Sequence, residues 1–139
     1  MPRSCRARTL RNARVILYDP ATNSWAPTTP MPAVRSTHTQ TTLKDGRALV
    51  ANGNTATAIV YDPQSASWTP TGAMGGSRGH SAALRLANDT VLVVGGSSLA
   101  SAEIYEPASN DWKPTGAMST ARMFHRLTLL PDGRVLVTG

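Results

Sequence analysis

The stretch that decides the fold is Tyr61-Asp62-Pro63-Gln64-Ser65-Ala66-Ser67-Trp68, because its pattern occurs three times in the 139 residues. The other two copies are Tyr18-Asp19-Pro20-Ala21-Thr22-Asn23-Ser24-Trp25 and Tyr105-Glu106-Pro107-Ala108-Ser109-Asn110-Asp111-Trp112. The three tyrosines are 43 and 44 residues apart, and the three tryptophans keep the same intervals. A fixed period of this length indicates a protein built from repeated structural units.

A second block follows each aromatic stretch. It begins with a methionine, at Met31, Met74 and Met118, and these residues keep the same intervals. An arginine and a histidine come next, in the segments Arg35–His38, Arg78–His80 and Arg122–His125. We interpret the middle copy as having lost one residue before His80 and gained one at its next turn. On this interpretation His38, His80 and His125 occupy one repeat position.

Each block continues into an alternating segment, a turn and a short apolar strand. The turns are Asp45-Gly46, Asn88-Asp89 and Asp132-Gly133, which predict tight hairpins with positive φ at both central residues. Asn88-Asp89-Thr90 also fits the N-glycosylation pattern, but the flanking strands favour the turn. The following strand, such as Val91–Val94, is apolar without alternation, which is typical of burial on both faces and of a crowded inner wall. It is predicted to end in a left-handed kink at Gly95 and Gly96, with Asn52-Gly53 and Gly139 as the equivalents.

Each period therefore predicts four short antiparallel strands. In the first complete copy they are His38–Leu43, Ala48–Ala51, Ala58–Tyr61 and Ser67–Thr69. The Asp-Pro or Glu-Pro step ends the third strand because proline fixes φ. Tyr and Trp then offer large apolar faces for packing between units. Four short strands in about 40–50 residues are typical of one blade of an all-β propeller.

These residues resemble the kelch family, whose repeats carry a double glycine, then a spaced Tyr and Trp, then Met and Arg. The resemblance covers roughly residues 14–139 and extends to bacterial kelch proteins similar to the central propeller of galactose oxidase, in particular over Leu130–Gly139. Asn52 departs from the family's first glycine and Glu106 from its usual Asp, and Gly139 stands alone for the last pair. The WD40 alternative is rejected because no Trp-Asp pair closes a strand.

The repeats divide the chain into a basic leader, two complete blades and two half-blades. The leader, residues 1–13, is predicted to be solvated or disordered. The predicted units are a half-blade at 14–30, blades at 35–74 and 78–118, and a half-blade at 122–139. Together they amount to three blades, fewer than the four to eight of known propellers. We consider three arrangements: a fragment of a longer protein, two copies joined through their half-blades into a six-bladed ring, and a monomeric open arc. Open blade edges would also allow self-association.

Composition narrows the range of partners. The net charge is +6, but five of the fourteen basic residues lie in the first fourteen positions: Arg3, Arg6, Arg8, Arg11 and Arg14. The remaining basic residues nearly balance the acidic ones. Because nucleic-acid binding requires basic residues concentrated on one face of the folded protein, we expect no nucleic-acid partner. Cys5 is the single cysteine, so no internal disulfide forms and the redox compartment stays open. No apolar run is long enough for a membrane span, and the N-terminus lacks the apolar region of a signal peptide.

No residue set in the chain predicts catalysis. The Arg and His residues recur once per repeat, whereas catalytic groups converge on one point. The copper site that the galactose oxidase resemblance implies does not carry over, because Cys5 lies outside the repeats and each tyrosine is a repeat position. We therefore expect no enzyme activity, metal or cofactor. The residues singled out as structural repeat positions are Tyr18, Trp25, His38, Gly53, Tyr61, Trp68, His80, Gly95, Gly96, Tyr105, Trp112, His125 and Gly139.

The resemblance implies that the protein is a binding scaffold for protein or glycan ligands. The loops of several blades lie on one face of such a scaffold, and the ligand would contact them there. The loops available are Asn54–Thr57, Gly75–Gly79 and Ser97–Ser101. The alternative is a segment of a larger galactose-oxidase-like or other secreted propeller enzyme whose catalytic residues lie outside this chain. The family suggests a secreted parent while this N-terminus shows no signal, so localisation stays open.

Overall fold

The computed structural model describes residues 13–139, which form twelve strands in antiparallel sheets and no α-helix. Sheet 1 holds β1 (Val15–Asp19) and β2 (Ser24–Thr28). Sheet 2 holds β3 (Thr39–Thr42), β4 (Ala48–Ala51), β5 (Ala58–Asp62) and β6 (Ser67–Pro70). Sheet 3 holds β7 (Ala82–Arg85), β8 (Val91–Val94), β9 (Ala102–Glu106) and β10 (Asp111–Thr115). Sheet 4 holds β11 (Arg126–Leu129) and β12 (Val135–Thr138).

Strand order follows chain order in every sheet, so sheets 2 and 3 are four-stranded meanders. The prediction of an all-β chain with four short strands per period is confirmed, and β4 has the predicted bounds. Ala13 was assigned to the leader but is buried, and its carbonyl accepts a hydrogen bond from the Met31 amide at 2.8 Å, so the folded part begins there. The rest of the predicted leader, including Cys5, lies outside the described residues. Within the described part, no helix has the length and apolar character needed to cross a membrane.

The hairpin turns differ from the prediction. The Leu43 amide donates to the Arg47 carbonyl and the Gly46 amide to the Leu43 carbonyl, which closes a three-residue loop. Only the third loop residue has positive φ: Gly46 at 87°, Asp89 at 68° and Gly133 at 87°. Each loop is thus a tight turn followed by one left-handed residue, and the expectation of two positive φ values was wrong. The Asn88 side chain stabilises its own turn by accepting hydrogen bonds from the amide and hydroxyl of Thr90.

Strand register also corrects the alignment of the repeats. Thr39, Ala82 and Arg126 are equivalent, since they pair with Ala51, Val94 and Thr138. Each lies four residues after its arginine, so the middle copy has lost nothing before His80 and gained nothing at its turn. The extra residue of the longer period lies between β8 and β9, where a loop absorbs it without disturbing either strand.

The sheets meet through their first strands, since β3 contacts β7 and β7 contacts β11. The second strands β4 and β8 are nevertheless more buried than the first strands β3 and β7. β4 and β8 are buried because they are paired on both edges and covered on both faces. The apolar sequence of β12 predicted that this strand is buried, but it is half exposed because it pairs only with β11.

Two apolar layers join neighbouring sheets. Between sheets 2 and 3, Leu49 and Val60 pack against Val91, Val93 and Tyr105, all at most 3% exposed. Between sheets 1 and 2, a smaller layer contains Ala13, Met31, Val50 and Ile59. At about 25 cal/mol for each Å² of apolar surface removed from water, these layers are the main stabilising contribution to the stack.

Candidate functional site

One end of the sheets gathers the loops that the sequence marked as variable. In a meander, the loops before first strands and those after second strands lie at the same end. The Ser97 amide donates to the Gly79 carbonyl at 2.8 Å, and the Gly79 amide donates to Ser97 Oγ at 2.7 Å. Two of the three predicted loops thus contact each other. We call this end the rim.

The rim carries a series of unusual backbone conformations. Thr37, His80 and Phe124 are equivalent residues, and all three are left-handed, with φ of 56°, 60° and 57°. A non-glycine residue seldom adopts this conformation, and a β-branched or bulky one adopts it least. The His80 amide donates to the Thr37 carbonyl at 3.3 Å, and the Phe124 amide donates to the His80 carbonyl at 3.1 Å. The hydrogen bonds between sheets thus hold the strained residues in place.

These residues project side chains at the place where the first strands converge. A pocket of about 270 Å³ there is lined by Thr37, His38, His80, Ser81, Phe124, His125 and Arg126. The His80 and Phe124 rings stack with centroids 4.0 Å apart, and Phe124 is 68% exposed. Sequence analysis missed Phe124 because a single phenylalanine at a position held elsewhere by Thr and His gives no repeat signal.

Buried arginines fasten the rim loops to the strands. Arg35 donates through Nη1 to the carbonyls of Asn52 and Thr57, at 3.2 and 2.8 Å. Arg78 makes the equivalent bonds to Gly95 and Ser101, at 3.2 and 2.8 Å. The side chains are 6% and 3% exposed, so each of these two arginines is a buried hydrogen-bonding group at the start of its repeat.

Arg78 has an additional partner that the sequence analysis overlooked. Its Nε lies 3.0 Å from a carboxylate oxygen of Glu103, which is 5% exposed. The other oxygen of Glu103 accepts the Gly75 amide at 2.7 Å. The equivalent residue in sheet 2 is Ile59, and Arg35 Nε has no partner there. The sequence did contain one signal for this ion pair. Glu103 is acidic, whereas the equivalent residues of the other two copies, Ile16 and Ile59, are apolar.

The three histidines do not share one position. His38 and His125 are equivalent to each other, whereas Ser81 fills their place in the middle repeat and His80 is shifted by one residue to the left-handed position. Matching residues by type produced the wrong alignment. The correct one was visible in the constant spacing from each arginine to the first strand residue.

The residue facing this position changes with it. Asn52 donates through Nδ2 to Ser81 Oγ at 3.2 Å, whereas Gly95, equivalent to Asn52, faces the His125 ring. A Cβ on Gly95 would lie 2.8 Å from His125 Cε1 and 2.6 Å from the Arg122 carbonyl oxygen. The space between sheets 3 and 4 is filled by a large residue, His125, opposite a small one, Gly95. The equivalent space between sheets 2 and 3 is filled by the polar pair Asn52 and Ser81.

At the second position of the pairs Asn52-Gly53 and Gly95-Gly96, glycine is required for a different reason. A Cβ on Gly53 would overlap the Ser36 carbonyl oxygen, and one on Gly96 would lie 2.7 Å from the carbonyl oxygen of Gly79, the residue equivalent to Ser36. Both have positive φ, 96° and 80°. A side chain at either position would therefore clash, because the rim loop crosses the preceding segment at backbone contact.

The Tyr and Trp residues are cross-strand partners in all three copies. The ring centroids are 5.0 Å apart for Tyr18 and Trp25, 4.9 Å for Tyr61 and Trp68, and 5.2 Å for Tyr105 and Trp112. The indole of Trp68 donates to the Thr29 carbonyl, and that of Trp112 donates to Thr71 Oγ1. The pairs of sheets 2 and 3 therefore each join their sheet to the one before, away from the rim pocket.

Burial lowers the pKa of His125, and the nearby positive charge of Arg122 acts in the same direction. The backbone of Val94 opposes this shift, but neither ring nitrogen has a partner in hydrogen-bonding geometry. Burial, followed by the charge of Arg35, also lowers the pKa of the more exposed His38. Both imidazoles are therefore held in the neutral form.

This neutrality predicts acid sensitivity. A histidine with a lowered folded-state pKa stabilises the fold fully above its unfolded pKa of about 6.5, and that stabilisation is lost as the pH falls through the two pKa values. We expect the urea midpoint to fall between pH 7.5 and pH 5. The decrease should be smaller in His125→Gln, whose side chain does not titrate. An equal decrease in both proteins would contradict the assignment to His125.

The opposite end of the sheets holds a second cleft, of about 390 Å³, among the turns at 43–45, 88–90 and 106–108. Its polar groups have partners within the protein: Lys44 pairs with Asp89 at 3.0 Å, and Asp45 pairs with Arg47 at 2.7 Å. The side chains there stabilise their own turns, so this end offers fewer free groups to a ligand than the rim.

Within residues 13–139, no group of three or more His, Cys, Asp or Glu side chains is placed to hold a metal ion. Comparison with known proteins adds no assignment, since no family model and no curated protein matches the chain.

Proposed function

We propose that the chain is a binding scaffold of kelch-type propeller blades that contacts a protein or glycan ligand through the rim. The observation that carries the proposal is the left-handed series at Thr37, His80 and Phe124. Backbone strain in bulky residues persists only where surrounding contacts impose it, and such residues cluster at ligand-binding sites. Here the strain directs three different side chains towards one pocket.

The chemistry of the pocket favours a glycan over a protein segment. Phe124 offers an open aromatic face beside His80, onto which the C–H face of a sugar ring can pack. Thr37 and Ser81 supply hydroxyl groups nearby. The rest of the lining is mainly polar, so hydrogen bonds to sugar hydroxyl groups would accompany the contact with Phe124.

The order and the contacts of the strands support the propeller arrangement. Four-stranded meanders follow one another along the chain, and their first strands meet in chain order. Tyr–Trp pairs recur at equivalent positions in sheets 1, 2 and 3. These features agree with blades stacked around an axis.

A glycan array, followed by calorimetry on the glycans that bind, tests the proposal. We expect Phe124→Asn to weaken binding about tenfold, since an aromatic contact contributes about 0.5–1.5 kcal/mol beyond area burial. Asn tolerates the left-handed conformation, so the fold should survive. Lys44→Gln, at the opposite end, is the matched control and should leave affinity unchanged. Binding that survives Phe124→Asn, or a ligand that responds to Lys44→Gln alone, would contradict a rim site.

A further inference from the structure

The second cleft lies between sheets 2 and 3, which are the two complete meanders, at the end opposite the rim. Its walls are the β3–β4 turn of sheet 2 and the β7–β8 and β9–β10 turns of sheet 3. Leu43 is buried in the apolar layer between these sheets and also lines the cleft, so the cleft opens onto that layer. Going beyond the rim site, we propose that the second cleft binds an uncharged, mainly apolar small molecule.

The size and the lining of the cleft suit such a ligand. Its volume of about 390 Å³ is near the lower end of the range for small-molecule sites, about 300–1,000 Å³. Leu43, Pro107 and Ala108 supply apolar surface. The side-chain oxygen of Asn88 already accepts two hydrogen bonds from Thr90, at 3.2 and 2.7 Å, which leaves its NH₂ group as a donor for a ligand. Apolar surface with few polar groups is the usual composition of a small-molecule site.

Comparison of the repeats shows that sheet 3 has lost charge at this place. Sheet 3 contributes Asn88, Thr90, Glu106, Pro107 and Ala108, and the equivalent residues of sheet 2 are Asp45, Arg47, Asp62, Pro63 and Gln64. These five positions hold three charged side chains in sheet 2 and one in sheet 3. Sheet 4 is charged like sheet 2 at the first two positions, where it has Asp132 and Arg134. The uncharged lining is therefore particular to the second cleft.

The charged groups that remain around the cleft are paired. Lys44 of sheet 2 lies 3.0 Å from Asp89 of sheet 3, and Glu106 lies 2.9 Å from Lys113. Asp45 pairs at 2.7 Å with the arginine two residues later. The three acidic and three basic groups balance, so neither an anion nor a cation gains a free counter-charge. Because a charge that leaves water without a partner costs free energy, the cleft favours an uncharged ligand.

The ion pair across the cleft is also particular to this junction. Asp89 stands where the equivalent turns have glycine, and Lys44 stands where they have Ala87 and Pro131. The equivalent pair between sheets 3 and 4 would be Ala87 and Gly133, which cannot form an ion pair. The two walls of the second cleft are therefore joined by a contact that the next junction lacks.

Three small molecules that share one ring system test the ligand class. Indole-3-acetamide is uncharged, indole-3-acetate is an anion of nearly the same size, and tryptamine is a cation. We expect indole-3-acetamide to bind about tenfold more tightly than either ion, because each ion would have to leave water without a free counter-charge. In proton–nitrogen correlation spectra, the backbone amides that shift should lie at 43–45, 88–90 and 106–108.

Restoring the residues of the other repeats tests the location. We expect Asn88→Asp with Thr90→Arg to weaken the binding of indole-3-acetamide about tenfold, because charged groups would replace the neutral lining. The other two copies carry this Asp and Arg in the same turn, paired at 2.7 Å, so the turn should fold. The matched control is the reverse exchange in sheet 4, Asp132→Asn with Arg134→Thr, which should leave the affinity unchanged.

Four results would overturn the proposal. Absence of any shift at millimolar indole-3-acetamide would exclude the site, and equal affinity for the amide and the two ions would exclude selection for an uncharged ligand. Binding that survives Asn88→Asp with Thr90→Arg would place the molecule outside the cleft. Loss of binding in Phe124→Asn would place it on the rim. Since the rim variant should leave this binding unchanged, the two sites are tested separately.

Discussion

Arg78→Met is expected to cost about 3–5 kcal/mol of unfolding free energy, which is enough to unfold much of a typical domain. Its side chain is 3% exposed and joins Glu103 to the carbonyls of Gly95 and Ser101. Removing it leaves a buried carboxylate without its counter-charge, which costs more than the net contribution of the ion pair. Urea denaturation followed by circular dichroism measures the loss.

The chain contains its own control for this prediction. Arg35 makes the same carbonyl bonds but has Ile59 where Arg78 has Glu103. We therefore expect Arg35→Met to be less costly than Arg78→Met. We also expect Glu103→Ile added to Arg78→Met to restore part of the lost stability. Equal costs for the two arginine variants would show that the carbonyl bonds, and not the buried charge, dominate.

Gly95→Asn is expected to destabilise by about 1–3 kcal/mol, the usual range for overpacking. Asn tolerates the φ of 66° at this position, so the cost comes from contact. The new Cβ would lie 2.8 Å from His125 Cε1 and 2.6 Å from a backbone oxygen. The equivalent Asn52 is accommodated because Ser81 stands opposite.

Adding His125→Ser to Gly95→Asn should therefore recover part of the lost stability, while the contact with the Arg122 backbone oxygen remains. The pair recreates the Asn52–Ser81 contact, while His125→Ser alone leaves a void beside Gly95. A double-mutant cycle in urea should give a favourable coupling of about 0.5–3 kcal/mol between the two sites. Additive costs would mean that the residues do not share the space between sheets.

Strand positions were predictable because local signals bracket them. Ala48–Ala51 is enclosed by a turn at Gly46 and a left-handed pair at Asn52 and Gly53, and the prediction matched the structure. The pairing of Tyr61 with Trp68 across their hairpin was not predicted, since both residues were expected only to pack between units. Where the chemistry of a few neighbouring residues decides the conformation, the printed sequence was sufficient.

The rim was harder to predict because its conformation is imposed from a distance. Thr37, His80 and Phe124 have no local preference for positive φ, and it is the hydrogen bonds to the neighbouring sheet that require it. The burial of Glu103 likewise depends on Arg78, which lies 25 residues earlier in the chain. The partners in contacts of this range cannot be deduced from residue spacing in one sequence, so the candidate site emerged only from the structure.

The pairs of facing residues between sheets also constrain how the gene can change. Asn52 meets Ser81, and Gly95 meets His125. Tandem duplication of the first complete repeat would set Asn52 against a second His38, whereas duplication of the next would leave Gly95 facing the small Ser81. Recombination within this gene would therefore produce mismatched junctions unless the facing residue mutates as well.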